Sequence, residues 1–522
     1  MDVSLFEIVG PIMIGPSSSA TAGMARIGAT VHKFLDDEVE SINLRFTPLY
    51  GKKYAGSRSH AAIIAGVMGF SEYDPAIRNA VQIARDRGID LSASIFPDPA
   101  PAHTLTVEVT VGLKSGVKRS YRAISIGGGS IEVLKIEGFD VELSGTEAYV
   151  FVWADQGAEA GLRAAFDGCP FYVSDCEGEK LYYINVPEKE GEGAAEKARR
   201  VAGVQRAVFM APVIPQGYVP HTPLFTTFEE LLALGEKTGK RIHELALDYE
   251  ANRSGHTQKE VWDQMEKQLK VMQQATHAGL YDKMEPLYGF NKGDDGKRVL
   301  AAYEAGKSIS GTVFPRALAI ALANMEYSGA MAGSIVAAPT AACGTFPGCL
   351  LALQEEKGYS DDEIVRAMLI GAVIGVVIRF HGSTFSGSAG GCQAEVGVTS
   401  AMAAAGMVYL NGGDDLHAVH AAALAIKNIL GLICDPISCA EIPCIKRMGS
   451  GVANAFTAAE LANCGILSFI PPDEVMESFV GVQKAMPIEL RQGGCGCTGT
   501  PTALAAKKFI DEKDREILLR QV

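Results

Sequence analysis

The sequence predicts an α+β protein in which strands dominate the first part of the chain and helices the rest. Three observations carry that expectation. Alternating apolar and polar runs, the mark of half-buried strands, cluster before Pro187. Apolar residues at three-to-four spacing, the mark of amphipathic helices, take over from Thr226. Between them lies a charged, glycine-containing stretch followed by a proline-spaced one, which reads as a linker.

Taken in order, residues 1–145 read as a mixed α/β unit, the N-terminal domain. Ser17-Ser18-Ser19 opens a helical stretch through His32-Lys-Phe-Leu, and Thr104-Leu-Thr-Val-Glu-Val-Thr-Val and Glu132-Val-Leu-Lys-Ile-Glu read as strands. Residues 146–186 hold a strand (Ala148-Tyr-Val-Phe-Val-Trp), a helix from about Gly157 and a second strand (Lys180-Leu-Tyr-Tyr-Ile-Asn-Val), a small βαβ module. Residues 187–223 are the expected linker, and residues 224–505 the mostly α-helical C-terminal domain. Beyond residue 300 the helices are rich in Ala, Gly and Ser, which lets them pack closely around a buried site. Ser125-Ile-Gly-Gly-Gly-Ser is not a GxGxxG fingerprint and reads as a tight turn.

Composition narrows the function. With 522 residues, 48% of them hydrophobic, the chain can bury a large core without covalent staples. A formal charge of −14 repels phosphate backbones, which argues against nucleic acid or an anionic membrane as partner. The longest apolar run, Ala367 to Ile378 between Arg366 and Arg379, falls short of the ~20 residues of a membrane span and reads as a core helix. The start carries neither the basic nor the apolar segment of a secretory signal, so a cytoplasmic location is expected. A homo-oligomer, by default a homodimer, is the expected assembly.

The 11 cysteines then belong to a reducing compartment, as thiols or thiolate ligands. Nine of them fall between Cys343 and Cys497. Cys343, Cys392 and Cys434 sit in glycine- and proline-punctuated breaks between helices, 49 and 42 residues apart. No compact zinc or ferredoxin pattern has that spacing, so it leaves open whether they are ligands or buried structural thiols. Loops of this kind do expose backbone amides and aim a side chain into a cavity. Three thiolates around a four-iron cube would leave one iron open as a Lewis acid.

The chain resembles the iron–sulfur-dependent bacterial L-serine dehydratases, in a form joining their β and α parts in one polypeptide. The resemblance rests on Leu5-Phe-Glu-Ile-Val-Gly-Pro, Ile-Gly-Pro-Ser-Ser-Ser ending at Ser19, Ser125-Ile-Gly-Gly-Gly-Ser-Ile-Glu-Val, and Phe385-Ser-Gly-Ser-Ala-Gly-Gly-Cys-Gln-Ala-Glu-Val-Gly. It continues through Ser400-Ala-Met-Ala-Ala-Ala-Gly, Leu430-Gly-Leu-Ile-Cys-Asp-Pro, Ile442-Pro-Cys-Ile-Lys-Arg and Met486-Pro-Ile-Glu-Leu-Arg. It implies a [4Fe–4S] cluster on Cys343, Cys392 and Cys434, and α,β-elimination of a small β-hydroxy amino acid, L-serine to pyruvate and ammonia. It also implies that the C-terminal helical domain is the cluster-binding catalytic one, and that 146–186 stands where relatives carry an ACT regulatory domain, here abbreviated.

Several motifs depart from that family. Its Gly-Pro-Ser-Ser-Ser-His-Thr has Ala20 at the histidine, and its Gly-His-Gly-Thr-Asp corresponds to Gly56-Ser-Arg-Ser-His-Ala-Ala-Ile, with Ala61, Ala62 and Ile63 after His60. Other substrate-facing segments become Glu285-Pro-Leu-Tyr-Gly-Phe, His381-Gly-Ser-Thr-Phe-Ser-Gly and Gly493-Gly-Cys-Gly-Cys-Thr-Gly. His60 and His381 are the candidate bases, since imidazole titrates near neutrality. Ser17, Ser18, Ser19 and Thr21 offer hydroxyls and amides at a helix start as a carboxylate cradle. Lys446 and Arg447 could pair with a carboxylate, and Cys495 and Cys497 could form a fourth ligand or a redox pair. Two alternatives stay open: the same chemistry on another substrate or leaving group, as in cysteine desulfidation, or a catalytically inactive sensor of ligand or redox state.

Overall fold

The computed structural model describes residues 3–48, 50–52, 54, 56–101, 103–214, 216–340, 344–434, 437, 444–491 and 496–518, with backbone only at 52 and 514–518. It is an α+β chain in two units, one comprising 1–22, 73–75 and 219–512, the other 23–72, 76–218 and 513–522.

The second unit carries the sheets. One has six strands in the order Asp90–Ile95, Val39–Phe46, Thr106–Leu113, Lys118–Gly127, Ser130–Ile136, Phe139–Leu143, of which only the first pair is parallel. Both expected strands are there, within two residues of their read positions, because buried Val107, Val109 and Val111 alternate with half-buried Glu108 and Thr110 on the other face. The triple glycine Gly127–Gly129 is the hairpin turn between the fourth and fifth strands, all three at positive φ. Helices Gly23–His32 and Ser59–Val67 cross at glycines. A Cβ on Gly28 would lie 2.2 Å from the Ile63 carbonyl oxygen, and one on Gly66 2.2 Å from that of Ala25.

The small module does not stop at residue 186. Strand Tyr149–Ala154, helix Glu159–Ala165, strands Phe171–Cys176 and Glu179–Asn185, helix Gly191–Arg199 and strand Val204–Met210 make a βαββαβ unit. Its antiparallel sheet runs 204–210, 149–154, 179–185, 171–176. The expected linker therefore differs from the structure over 187–210. Glycine and charge suggested a flexible tether, but Ala195 and Ala198 form a fully buried stripe against Val150 and Val152, and the charges face water. Gly191 is needed where it stands, since a Cβ there would meet the Phe209 ring at 2.0 Å.

The first unit is helical around Asp361–Phe380, whose residues from Ala367 to Ile378 are all buried, as the apolar run predicts. Ser360 opens this helix with a capping box to Glu363. Among the described residues no helix is long and apolar enough to cross a membrane. The N-terminal segment is tied in by a buried ion pair. Glu250, fully buried, accepts from Ser4 Oγ (2.9 Å) and the Leu5 amide (2.8 Å), and pairs with the Arg253 guanidinium (2.8 Å). Glu250→Ala would remove the buried carboxylate that holds Ser4, the Leu5 amide and the Arg253 guanidinium, and is expected to destabilise by about 3–5 kcal/mol. A denaturant midpoint within error of the unaltered protein would refute this.

Candidate active site

Three helices meet where the cysteine segments end. Thr345 begins helix Thr345–Lys357, Val396 begins helix Val396–Leu410, and both press on helix Cys444–Asn463. A Cβ on Gly451 would lie 2.4 Å from Thr345 Oγ1 and 3.0 Å from Val396 Cγ1. Thr345 Oγ1 donates to the Met448 carbonyl and Ser400 Oγ to that of Gly451. Thus the residue two after Cys343 and the residue four after Cys392 flank one glycine. The expected richness in small residues is what allows this approach. Cys343 itself lies outside the described residues.

Backbone bonds carry Cys392 to the Cys434 segment. The Gln393 amide donates to the Leu432 carbonyl (3.1 Å), the Gly431 amide to Gln393 Oε1 (2.8 Å), and Gln393 Nε2 to the Gly390 carbonyl (3.0 Å). Gly391, at φ +77, admits no side chain because a Cβ would sit 2.6 Å from Met486 Sδ and 2.8 Å from the Leu432 oxygen. The Cys434 amide in turn donates to the Leu490 carbonyl (2.9 Å). The quoted motifs around 385–397, 430–434, 444–447 and 486–491 therefore form one neighbourhood.

Its electrostatics are those of a buried thiol site. Cys392 and Cys434 are 4% and 8% exposed. Burial, with the Glu395 charge, pushes the Cys392 thiol up to about 12, against the pull of a hydrogen bond from Arg447. Arg447 also donates to the Ile433 carbonyl (2.6 Å), one residue before Cys434. Glu395 is pushed up to about 7 by burial of its carboxyl, against a hydrogen bond from the Gly387 amide and the Arg447 charge. A Cβ on Gly387 would lie 2.5 Å from Glu395 Oε2 and 2.9 Å from Cys434 Sγ, so carboxyl and thiol share that corner. The buried Cys392 thiol, held protonated when alone and with a guanidinium at hand, suits a group bound through sulfur with release of a proton. Among the described residues no three His, Cys, Asp or Glu form a metal-holding group; the third expected donor, Cys343, is not among them.

The other candidates are placed as follows. Ser18–Ala22 form a π-helical turn before helix Gly23–His32: Ser17 Oγ accepts from the Ala20 amide (3.0 Å) and Thr21 Oγ1 from the Ser17 amide (3.3 Å). Ser18 and Thr21 are buried and Ser17 and Ser19 partly so. The Ser17 and Thr21 hydroxyls thus bond the segment's own backbone, and Ser19 Oγ lies 3.5 Å from Ser17 Oγ. His60 belongs to the second unit, fully buried in helix Ser59–Val67 with its ring edge-on to Tyr54. Neither ring nitrogen meets a partner at hydrogen-bond geometry among the described residues. Burial first, and the Arg58 charge second, hold it neutral, well below the ordinary histidine range.

His381 has another employment. Its Nε2 bonds Asp473 Oδ1 (2.8 Å), and Asp473 also accepts from the amides of Phe228 (2.8 Å) and Glu229 (3.0 Å), capping helix Phe228–Thr238. Ser383 and Thr384 instead bond Gln483, about 15 Å further along helix Pro472–Ala485 at 1.5 Å per residue. Gln483 and Thr384 line Gly390, next to the Cys392 loop, so the histidine turns away from the chain that leads there. Burial would raise the Asp473 carboxyl, but His381 and the two amides hold it below its ordinary 3.8. A depressed carboxylate stabilises the fold above its unfolded value and loses that effect as pH falls through the folded one. Asp473→Asn is therefore expected to lower the thermal midpoint at pH 7, by about 1–2 kcal/mol of stability, with the difference closing below about pH 4. A gap that persists into acid would contradict this.

Lys446 is engaged with Asp295. Cys497 is exposed in a short turn, Gly496–Gly499, and Cys495 lies outside the described residues. Sequence reasoning passed over Glu395. Its signal was a charged residue at the mouth of helix 396–410, which carries no other charge.

A family model described as the serine dehydratase alpha chain matches residues 237–497. The chain is 36% identical over 291 residues to a probable L-serine dehydratase alpha chain of Bacillus subtilis, covering 55% of this chain and 95% of that one. It is 40% identical over 149 residues to the probable beta chain of the same organism, covering 28% and 67%. A single-chain L-serine dehydratase of Streptomyces coelicolor matches over 515 residues at 27% identity, covering 95% and 98%. The chain belongs to the L-serine dehydratase family, as a divergent member that carries the alpha and beta parts in one polypeptide.

Proposed function

We propose that this protein is a [4Fe–4S]-dependent L-serine dehydratase that eliminates water from L-serine to give pyruvate and ammonia, with Cys343, Cys392 and Cys434 holding the cluster. The observation that carries the reading is the packing of Thr345 and Val396, which follow Cys343 and Cys392, against helix Cys444–Asn463, with Arg447 bonded to the buried Cys392 thiol and to the Ile433 carbonyl beside buried Cys434. When bound, the cluster supplies a Lewis acid that makes hydroxide a tolerable leaving group.

The remaining work falls to the chain's own groups. Arg447 offsets part of the negative charge that three thiolates bring into a buried site. The tightly packed glycines around Cys392 leave no slack in the loop. Ser17, Ser18, Ser19 and Thr21 are the proposed cradle for the substrate carboxylate, and Ala20 removes a histidine from that turn. His60, kept neutral by burial, is the proposed acceptor of the α-proton. His381 we assign to holding helix 228–238 through Asp473 rather than to proton transfer. The enamine product rearranges and hydrolyses without a further group. The βαββαβ order of residues 149–210 supports reading that module as ACT-like.

The test is pyruvate release from L-serine by anaerobically reconstituted protein, with iron counted in the same sample. Turnover with about four irons per chain is expected. Iron without pyruvate would sink serine and favour the second reading, another β-substituted acid, which Ala20, Ala61 and Ile63 suggest. No iron at all would remove the cluster.

A further inference from the structure

We propose that Glu395 is the oxygen donor of this site, a carboxylate that ligates the iron left without a thiol until substrate displaces it. The inference rests on the cluster reading above and adds a residue to it. An acidic residue at a helix start ordinarily caps that helix's own amides. Glu395 stands at the start of helix Val396–Leu410 and makes no such cap. Its carboxyl leaves the helix, takes the Gly387 amide and comes to rest at the corner it shares with Cys434 Sγ.

The Arg447 charge reaches this carboxylate but does not belong to it alone. Arg447 is shared with Cys392 and the Ile433 carbonyl. Lys446 is engaged by Asp295, and Arg491 by the Ala389 carbonyl. A half-buried carboxylate beside two thiols is favoured by a further positive centre next to it, and an iron of the cluster is one. Oxygen donors also suit the harder iron that lacks sulfur from the protein. Gly387 preserves the arrangement, since any Cβ there would wedge between carboxyl and thiol.

The experiment compares anaerobically reconstituted, ⁵⁷Fe-labelled full-length protein with Glu395→Gln and Glu395→Asp, in the absence of serine. Iron per chain, the Mössbauer spectrum and the electron paramagnetic resonance of the oxidised sample are read together. In the unaltered protein one iron should carry an oxygen-coordinated signature. In Glu395→Gln that signature should change and the fourth iron should be held roughly 10–100-fold more weakly, leaving a three-iron signal. Glu395→Asp, which keeps the charge at shorter reach, should fall between. It also covers the case in which Glu395→Gln fails to fold: a weakened fourth iron in the aspartate variant supports the assignment, and an unaffected one overturns it. A fourth iron held at full strength with an unchanged spectrum in Glu395→Gln overturns the assignment and leaves the cluster standing. An unaltered protein that takes up no iron overturns both.

Discussion

Replacing Cys392 by serine is expected to abolish pyruvate formation and to lower retained iron by more than about 100-fold, since loss of even an outer-shell partner of a metal ligand costs 10–100-fold. The thiol is 4% exposed and its neighbours are Glu395 and Arg447, so serine fits the space and the fold should survive. What changes is the donor: a hydroxyl gives up its proton far less readily than a thiol, and ligation requires that loss. Cys434→Ser should behave alike, because the Cys434 amide is fixed by the Leu490 carbonyl and its thiol by the Gly387 corner. Two other cysteines provide the contrast. Cys464 is exposed beyond helix 444–463, and Cys349 is fully buried in the apolar core, where burial raises its thiol with no charged neighbour. Serine at Cys464 and alanine at Cys349 should leave iron unchanged. Equal iron in Cys392→Ser, or equal loss in all four variants, would separate this site from the cluster.

The difference between these cysteines marks how far the sequence could be read. Alternation read strands at 104–111 and 132–137, where the structure has 106–113 and 130–136, and an apolar run read a core helix at 367–378, inside helix 361–380, because both signals are local. The resemblance grouped Cys392 with Cys434 only as shared ligands; that their segments run side by side is seen in the bond from the Gln393 amide to the Leu432 carbonyl. Residues 187–210 misled because composition was weighed over position. Ala195 and Ala198 lie three apart on one helix face, and that spacing outweighs the charges around them. His381 was singled out for its type and its place before Cys392, but its partner is Asp473, 92 residues on. No pattern near His381 announces that bond. The same holds for Glu395 and Arg447, whose meaning depends on segments that only packing brings together.

His60→Gln carries the other large expectation: kcat should fall by about 10²–10⁴-fold, the usual contribution of a positioned general base, while iron content stays at that of the unaltered protein. Glutamine fills much the same volume, so the change removes proton affinity before it removes packing. The environment already prepares the ring for that task. Burial, then the Arg58 guanidinium, disfavour the charged form, and Tyr54 meets the ring edge-on at 5.3 Å between centroids. A base works when unprotonated, and a value held well below 6.5 keeps it so through neutral pH. Activity should therefore be flat as pH falls through neutrality, and its acid limb should lie below 6.5. In His60→Gln that limb should vanish along with most of the rate. A merely structural histidine would give another pattern. Losing it would lower the unfolding midpoint and reduce activity through less folded protein, with the acid limb retained in what remains. The pH profile of kcat, taken on samples matched for iron, thus decides between the two. A residual rate with an unchanged acid limb would hand the proton to a group other than His60, and Ala61 and Ile63 would then be the signs of a chemistry moved elsewhere.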